Sequence, residues 1–117
     1  MSRIARATVH IVPHEVRSVR AHGIGEVSGA VETVILPGLD AFRPELVLVS
    51  AGFDAHARDP LANLNLVESD FAWITTKLLE IADRHASGRL VSMLEGGYDL
   101  QALGASVAAH VETLMAA

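Results

Sequence analysis

From residue 31 onward the chain alternates between two apolar rhythms. Val31, Val34, Ile35, Leu39 and Phe42 recur at helical spacing. Pro37 among them and Pro44 beyond them predict a kinked helix that stops before residue 44. Leu46-Val47-Leu48-Val49-Ser50 is instead a short continuous apolar run, the pattern of a strand covered on both faces of a parallel sheet. A loop rich in Gly, Asp, Pro and Asn follows, from Gly52 to about Asn65. Phe71, Ile74, Leu78 and Ile81 then mark one face of a second helix. Glu68 and Asp70 suit its positive end, Arg84 and His85 its negative end, and Gly88 is placed to terminate it. A second strand of the buried type, Leu90-Val91-Ser92-Met93-Leu94, runs into Glu95-Gly96-Gly97-Tyr98. Asp99 is an N-cap for a last helix whose apolar face is Leu100, Leu103, Val107, Val111 and Leu114.

The order helix, strand, helix, strand, helix predicts an α/β unit with a right-handed crossover between parallel strands. Residues 1–30 differ: they are polar, weakly periodic, and hold His10, His14 and His22. Ala7 to Val12 could form one short strand there, stopped by Pro13. The division expected is a divergent N-terminal segment, 1–30, and a patterned unit, 31–117.

Composition narrows the chemistry. The chain has 117 residues, enough for one small domain, and half of them are apolar, as a folded core requires. Net charge is −5, which argues against a nucleic-acid surface. There is no cysteine, so disulfides and thiolate metal sites are excluded and any metal must sit on His, Asp or Glu. No apolar stretch approaches the roughly 18–20 residues that span a bilayer. Arg3, Arg6, Arg17 and Arg20 lack the apolar block of a secretory signal, and Pro13 and Glu15 break a transit-peptide pattern, so the cytoplasm is the expected compartment.

In open parallel sheets, ligands bind beyond the carboxyl ends of the strands. Both strands run into unusual loops, Ala51-Gly52-Phe53-Asp54 and Glu95-Gly96-Gly97-Tyr98. If the strands are neighbours, Asp54 and Tyr98 emerge on one edge of the sheet. Many α/β loops carry such residues with no catalytic role, and both readings stay open on position alone.

Longer motifs contain these residues. Ser50-Ala51-Gly52-Phe53-Asp54-Ala55-His56, then Asp59-Pro60-Leu61, resembles the metal-binding loop of the histone deacetylase and acetylpolyamine amidohydrolase superfamily. Leu94-Glu95-Gly96-Gly97-Tyr98-Asp99-Leu100 resembles that family's glycine-rich catalytic tyrosine loop, and Asp70-Phe71-Ala72-Trp73 is similar to a helix start of its bacterial and class II branch. The resemblance covers residue 31 to the end. It implies a partial arginase/deacetylase-type α/β fold. It implies further that Asp54 is the last of three protein zinc ligands and that the Tyr98 hydroxyl donates to the acetyl carbonyl oxygen. Gly96 and Gly97 would let the backbone approach a narrow substrate channel, Leu61 would line it, and Asp59 would brace its own loop.

Other parts of the family pattern lie upstream of these motifs: an Asp-x-His ligand pair and a His-His pair of general bases. Ala21-His22-Gly23-Ile24-Gly25 echoes them, but the ligand positions fall on Val19 and Ala21, which cannot bind metal. His10 and His14 read as loop histidines, His56 as a partner within its own loop, His85 as a helix-end charge, and His110 as a flank of the last helix's core face. Trp73 reads as a packing residue.

The resemblance thus implies a fragment of a zinc-dependent deacetylase acting on acetyl-lysine or acetylated polyamines, inactive alone and not binding zinc tightly. An alternative is a non-catalytic α/β interaction module that needs a partner to complete its sheet. Either would expose sheet edges open to self-association. A third reading, an unrelated α/β protein, leaves Asp54 and Tyr98 as plain loop residues.

Overall fold

The two continuous apolar runs form neighbouring strands, β1 (Val47–Gly52) and β2 (Leu90–Gly96). The computed structural model describes residues 24–60 and 65–117. The strand expected over 7–12, together with His10, His14, His22 and Leu61, lies outside them. β1 and β2 pair in parallel, with Val47 opposite Leu90 and Ala51 opposite Leu94. The register then shifts so that Gly52 faces Gly96, which leaves Glu95 as the extra residue of a bulge. Val47 N–H donates to the Arg89 carbonyl at 3.0 Å and Phe53 N–H to the Gly96 carbonyl at 2.8 Å, closing both ends of the ladder.

The first helical stretch starts earlier than its apolar spacing suggests. It comprises α1 (Ile24–Ala30), a π turn (Val31–Ile35) and α2 (Leu36–Phe42). Pro37 has no N–H, and its ring crowds the carbonyl four residues back. The chain answers with a wider turn just before it, in which Leu36 N–H reaches the Val31 carbonyl. That extra residue rotates the stripe: Val31 and Leu39 are buried, while Val34 and Phe42 face solvent. Arg43 ends the helix in the left-handed region (φ 54°), its N–H on the Leu39 carbonyl at 3.0 Å, and Pro44 follows.

The crossover is α3 (Glu68–His85). Its N-cap, Val67, has no side-chain acceptor, so only half of a capping box forms: the Asp70 carboxylate accepts Val67 N–H at 2.8 Å. Ser87 (φ 53°) and Gly88 (φ 75°) stop the helix, and Gly88 N–H donates to the Ala82 carbonyl at 3.0 Å. At the same end Asp40 of α2 accepts from Arg84 and, at 2.8 Å, from His85 Nε2. The His85 and Arg84 hydrogen bonds hold the Asp40 carboxyl below its usual range.

The described helices lie on one face of the sheet. Val47 and Val49 pack with Leu39, Ile81, Ala82 and Ala86, and Ala51 and Phe53 pack with Val27, Val31, Leu66 and Phe71. The other face, where Leu48 and Ser50 stand opposite Val91 and Met93, is open on β2: Val91 and Met93 are exposed. The sequence pattern implied cover on both faces; among the described residues there is cover on one. Burying a Val or Met side chain contributes about 1.5–3 kcal/mol, a gain not realised at these two positions.

The last helix, α4 (Leu100–Met115), begins where Asp99 accepts Ala102 N–H at 2.9 Å. Its buried stripe differs from the expected one. Ala102, Ser106 and His110 are buried, Leu103 and Val107 pack at the margin, and Leu100 and Val111 are exposed. The helix turns its small and polar side inward because His110 bonds Thr75 of α3 and Ser92 of β2. Among the described residues no helix is long and apolar enough to cross a membrane.

Candidate functional site at the carboxyl edge of the sheet

The Gly52–Gly96 register fixes where the two motifs meet. Asp54 stands two residues beyond Gly52 and Tyr98 two residues beyond Gly96, so both leave the same edge of adjacent strands. The Asp54 carboxylate lies on the backbone of both glycines. A Cβ at Gly52 would sit 3.2 Å from Asp54 Oδ1, and one at Gly96 would sit 3.4 Å from Oδ1 and 3.7 Å from Oδ2. At Gly97 the demand comes from inside the fold. Its φ is +134°, and a Cβ there would meet Leu103 Cδ1 at 2.7 Å and Phe53 Cβ at 3.4 Å. Tyr98 is 58% exposed.

A carboxylate from the first motif holds the second. Asp59, buried, accepts the backbone N–H of Tyr98 on Oδ2 at 2.8 Å. The sequence suggested that Asp59 braces its own loop; this bond reaches the tyrosine loop as well, 39 positions away. His56 is also buried, and its Nδ1 accepts Arg58 N–H at 3.0 Å, the local bond expected. That leaves Nε2 to donate to Glu68 Oε1 at 3.1 Å, tying the loop to the first turn of α3. The Glu68 carboxyl lies below its usual range, first through its own backbone amide and then through His56. The His56 ring stacks on Phe71 with centroids 6.4 Å apart. Leu66 N–H on the Ala55 carbonyl and Ala57 N–H on the Leu66 carbonyl, at 3.1 and 2.8 Å, pin the two ends of the loop.

Behind the edge lies a polar cluster that the sequence reading did not identify. Phe53, next to Asp54, meets Phe71 and His110 edge-on, with centroids 5.1 and 5.7 Å apart. Thr75 Oγ1 donates to the Phe71 carbonyl at 2.7 Å, so it accepts from His110 Nδ1–H, also at 2.7 Å. His110 Nε2 then accepts the Ser92 hydroxyl at 2.8 Å. Burial pushes the imidazole below its usual range and favours this neutral form. A signal for the cluster existed: Ser92 interrupts an apolar strand, and Thr75 and His110 fall within apolar helix stripes.

Catalytic zinc sites use three protein ligands. Asp54 offers one carboxylate, and among the described residues no three His, Asp or Glu side chains group so as to hold a metal. The described residues do not fit a zinc ion by themselves. What the edge itself offers is a carboxylate on a glycine floor and, from the adjoining strand, a phenol on a braced loop.

Comparison with known proteins identifies the family. The model of the histone deacetylase domain matches residues 8–114, from upstream of the patterned unit to near the chain's end. Type-2 histone deacetylase 1 of Dictyostelium discoideum is 48% identical over 82 residues, covering 70% of this chain and 6% of that protein. A histone deacetylase-like amidohydrolase of Pseudomonas aeruginosa is 48% identical over 69 residues, covering 59% of this chain and 18% of that one. The crystal structure of the HDA15 HD domain superposes with a TM-score of 0.73 at 34% identity, covering 80% of this chain and 26% of that one. The chain therefore spans a quarter or less of the curated relatives named and about a quarter of the solved domain. Its helices and parallel strand pair are a partial α/β deacetylase fold, and the chain belongs to the histone deacetylase family.

Proposed function

We propose that residues 31–117 are the C-terminal part of a zinc-dependent deacetylase domain that hydrolyses acetyl-lysine or acetylated amines, and that this chain alone is catalytically silent. The observation that carries the reading is the Gly52–Gly96 register, which brings Asp54 and Tyr98 to one edge of the sheet with the Asp54 carboxylate against Gly96. In the complete domain Asp54 would be one of three zinc ligands, and the metal would supply Lewis-acid polarisation of the acyl group. Tyr98 donates its hydroxyl proton in a hydrogen bond to the acyl oxygen as negative charge develops there. Loss of one such donor costs about 2.7–4 kcal/mol of transition-state stabilisation. Gly96 keeps a side chain away from the Asp54 carboxylate, while Gly97 lets the backbone pass against Leu103 and Phe53. The proposed compartment is the cytoplasm, where a cysteine-free chain has no need of oxidising conditions.

Grafting tests the reading. Residues 31–117 replace the matching segment of the Pseudomonas amidohydrolase, and turnover of an acetyl-lysine substrate is measured. The graft should be active, and Tyr98→Phe or Asp54→Asn should each lower kcat at least a hundredfold. A folded graft indifferent to both changes contradicts the assignment. Robust turnover by the isolated chain with zinc would refute its silence. The second reading, a non-catalytic interaction module, draws on the exposed Val91 and Met93, and an inactive but folded graft favours it.

A further inference from the structure

Phe53 stands between the two motifs and touches both. It precedes Asp54 in the chain, its N–H donates to the Gly96 carbonyl, and its carbonyl accepts His56 N–H at 3.2 Å. A Cβ on Gly97 would lie 3.4 Å from Phe53 Cβ, so the tyrosine loop rests on the Phe53 side chain. Movement of Phe53 is therefore movement of Asp54 relative to the loop that carries Tyr98.

Two rings hold the Phe53 ring edge-on, His110 from α4 and Phe71 from α3, and one line of hydrogen bonds fixes both. It runs from the Ser92 hydroxyl to His110 Nε2, from His110 Nδ1–H to Thr75 Oγ1, and from the Thr75 hydroxyl to the Phe71 carbonyl. With a partner at each nitrogen, the imidazole cannot turn in its site without losing both bonds. Phe53, Phe71, Thr75 and His110 are all buried. A buried network of this kind contributes little net stability over an apolar filling of the same shape. What a fully satisfied network adds is direction: it holds the surrounding side chains in one arrangement. We propose that His110 is a positioning residue: held by Ser92 and Thr75, it fixes Phe53 and, through it, the placement of Asp54 against the tyrosine loop. Its bearing on turnover rests on the assignment of Asp54 and Tyr98 to the deacetylase reaction.

Amide hydrogen exchange on the purified full chain tests this, because Val47 N–H and Phe53 N–H close opposite ends of one ladder. A change that merely lowers global stability speeds both alike. His110→Phe keeps a ring and removes both bonds, and it should speed exchange at Phe53 about tenfold more than at Val47. Thr75→Val combined with Ser92→Ala keeps the imidazole and removes its partners, and it should do the same. Thr75→Ser combined with Ser92→Thr keeps both hydroxyls and should leave the ratio as in the parent. Equal acceleration at the two amides, or no change at either, overturns the proposal. In the grafted amidohydrolase, His110→Phe should lower kcat about tenfold and leave KM within about twofold. Selective exchange at Phe53 with a parental kcat, in a graft that Tyr98→Phe silences, also overturns it. A graft indifferent to Tyr98→Phe faults the assignment of the tyrosine instead, and the exchange ratio then decides the proposal by itself.

Discussion

Tyr98 and Asp59 are joined backbone to side chain: the tyrosine amide donates to the buried Asp59 carboxylate at 2.8 Å. The bond ties the two motif loops together, so the position of the phenol depends on a residue of the loop that carries Asp54.

Asp59→Ala removes a charged acceptor from a buried N–H and should lower the unfolding free energy by about 1.5–3 kcal/mol. Asp59→Asn keeps an acceptor and should cost less. Urea denaturation measures the stability, and amide exchange at Tyr98 reports the local effect. The Tyr98 amide should exchange faster in Asp59→Ala. Unchanged exchange there would mean that the loop is held by other contacts.

The two glycines of the tyrosine loop should respond differently to alanine. At Gly97 the backbone is left-handed and a Cβ would overlap Leu103 Cδ1, so Gly97→Ala should cost about 1–3 kcal/mol. Leu103→Ala should recover part of that loss. At Gly96 a Cβ would make ordinary contact with the Asp54 carboxylate, so Gly96→Ala should fold nearly as well as the parent. In the grafted enzyme it should nonetheless reduce turnover, because it covers the carboxylate. Thermal melts of both variants decide the matter; equal losses would contradict the geometry.

His110 makes stability depend on pH. Its folded-state pKa is depressed by burial, so as pH falls the unfolded chain takes up a proton before the folded one does. The stability associated with the neutral ring is therefore complete above the ordinary histidine value of about 6.5 and declines as pH drops below it. For one proton the slope cannot exceed about 1.4 kcal/mol per pH unit. The depressed carboxyls of Asp40 and Glu68 act in a lower window, below their ordinary values of 3.8 and 4.5. Denaturation between pH 7.5 and 5 should show the decline in the parent, and a smaller one in His110→Gln. Identical slopes would remove His110 from the account.

Much of this fold was legible in the sequence because the signals were local. The Asp99 cap, the acidic start and basic end of α3, and the Gly88 stop each depend on side chains within one turn of the element they shape. The edge that carries Asp54 and Tyr98 was legible for a different reason: parallel neighbours must end on the same side. What was not legible depends on packing at a distance. The continuous apolar runs suggested two covered faces, yet among the described residues β2 has cover on one face only. The inward face of α4 is set by His110 reaching Thr75 and Ser92, not by the count of apolar residues. Asp59 could not be assigned to Tyr98 until the Gly52–Gly96 register had placed the loops side by side.

Because the chain has no cysteine, spin labels can be attached at chosen sites without background. Asp54→Cys combined with Tyr98→Cys, labelled at both sites and diluted with unlabelled chain, measures directly whether the two motif residues share one edge. Strands in register lie about 4.8 Å apart, so labels two residues beyond a shared pair must be close. The account predicts strong dipolar broadening relative to either single label. A doubly labelled spectrum equal to the sum of the two single ones would contradict it.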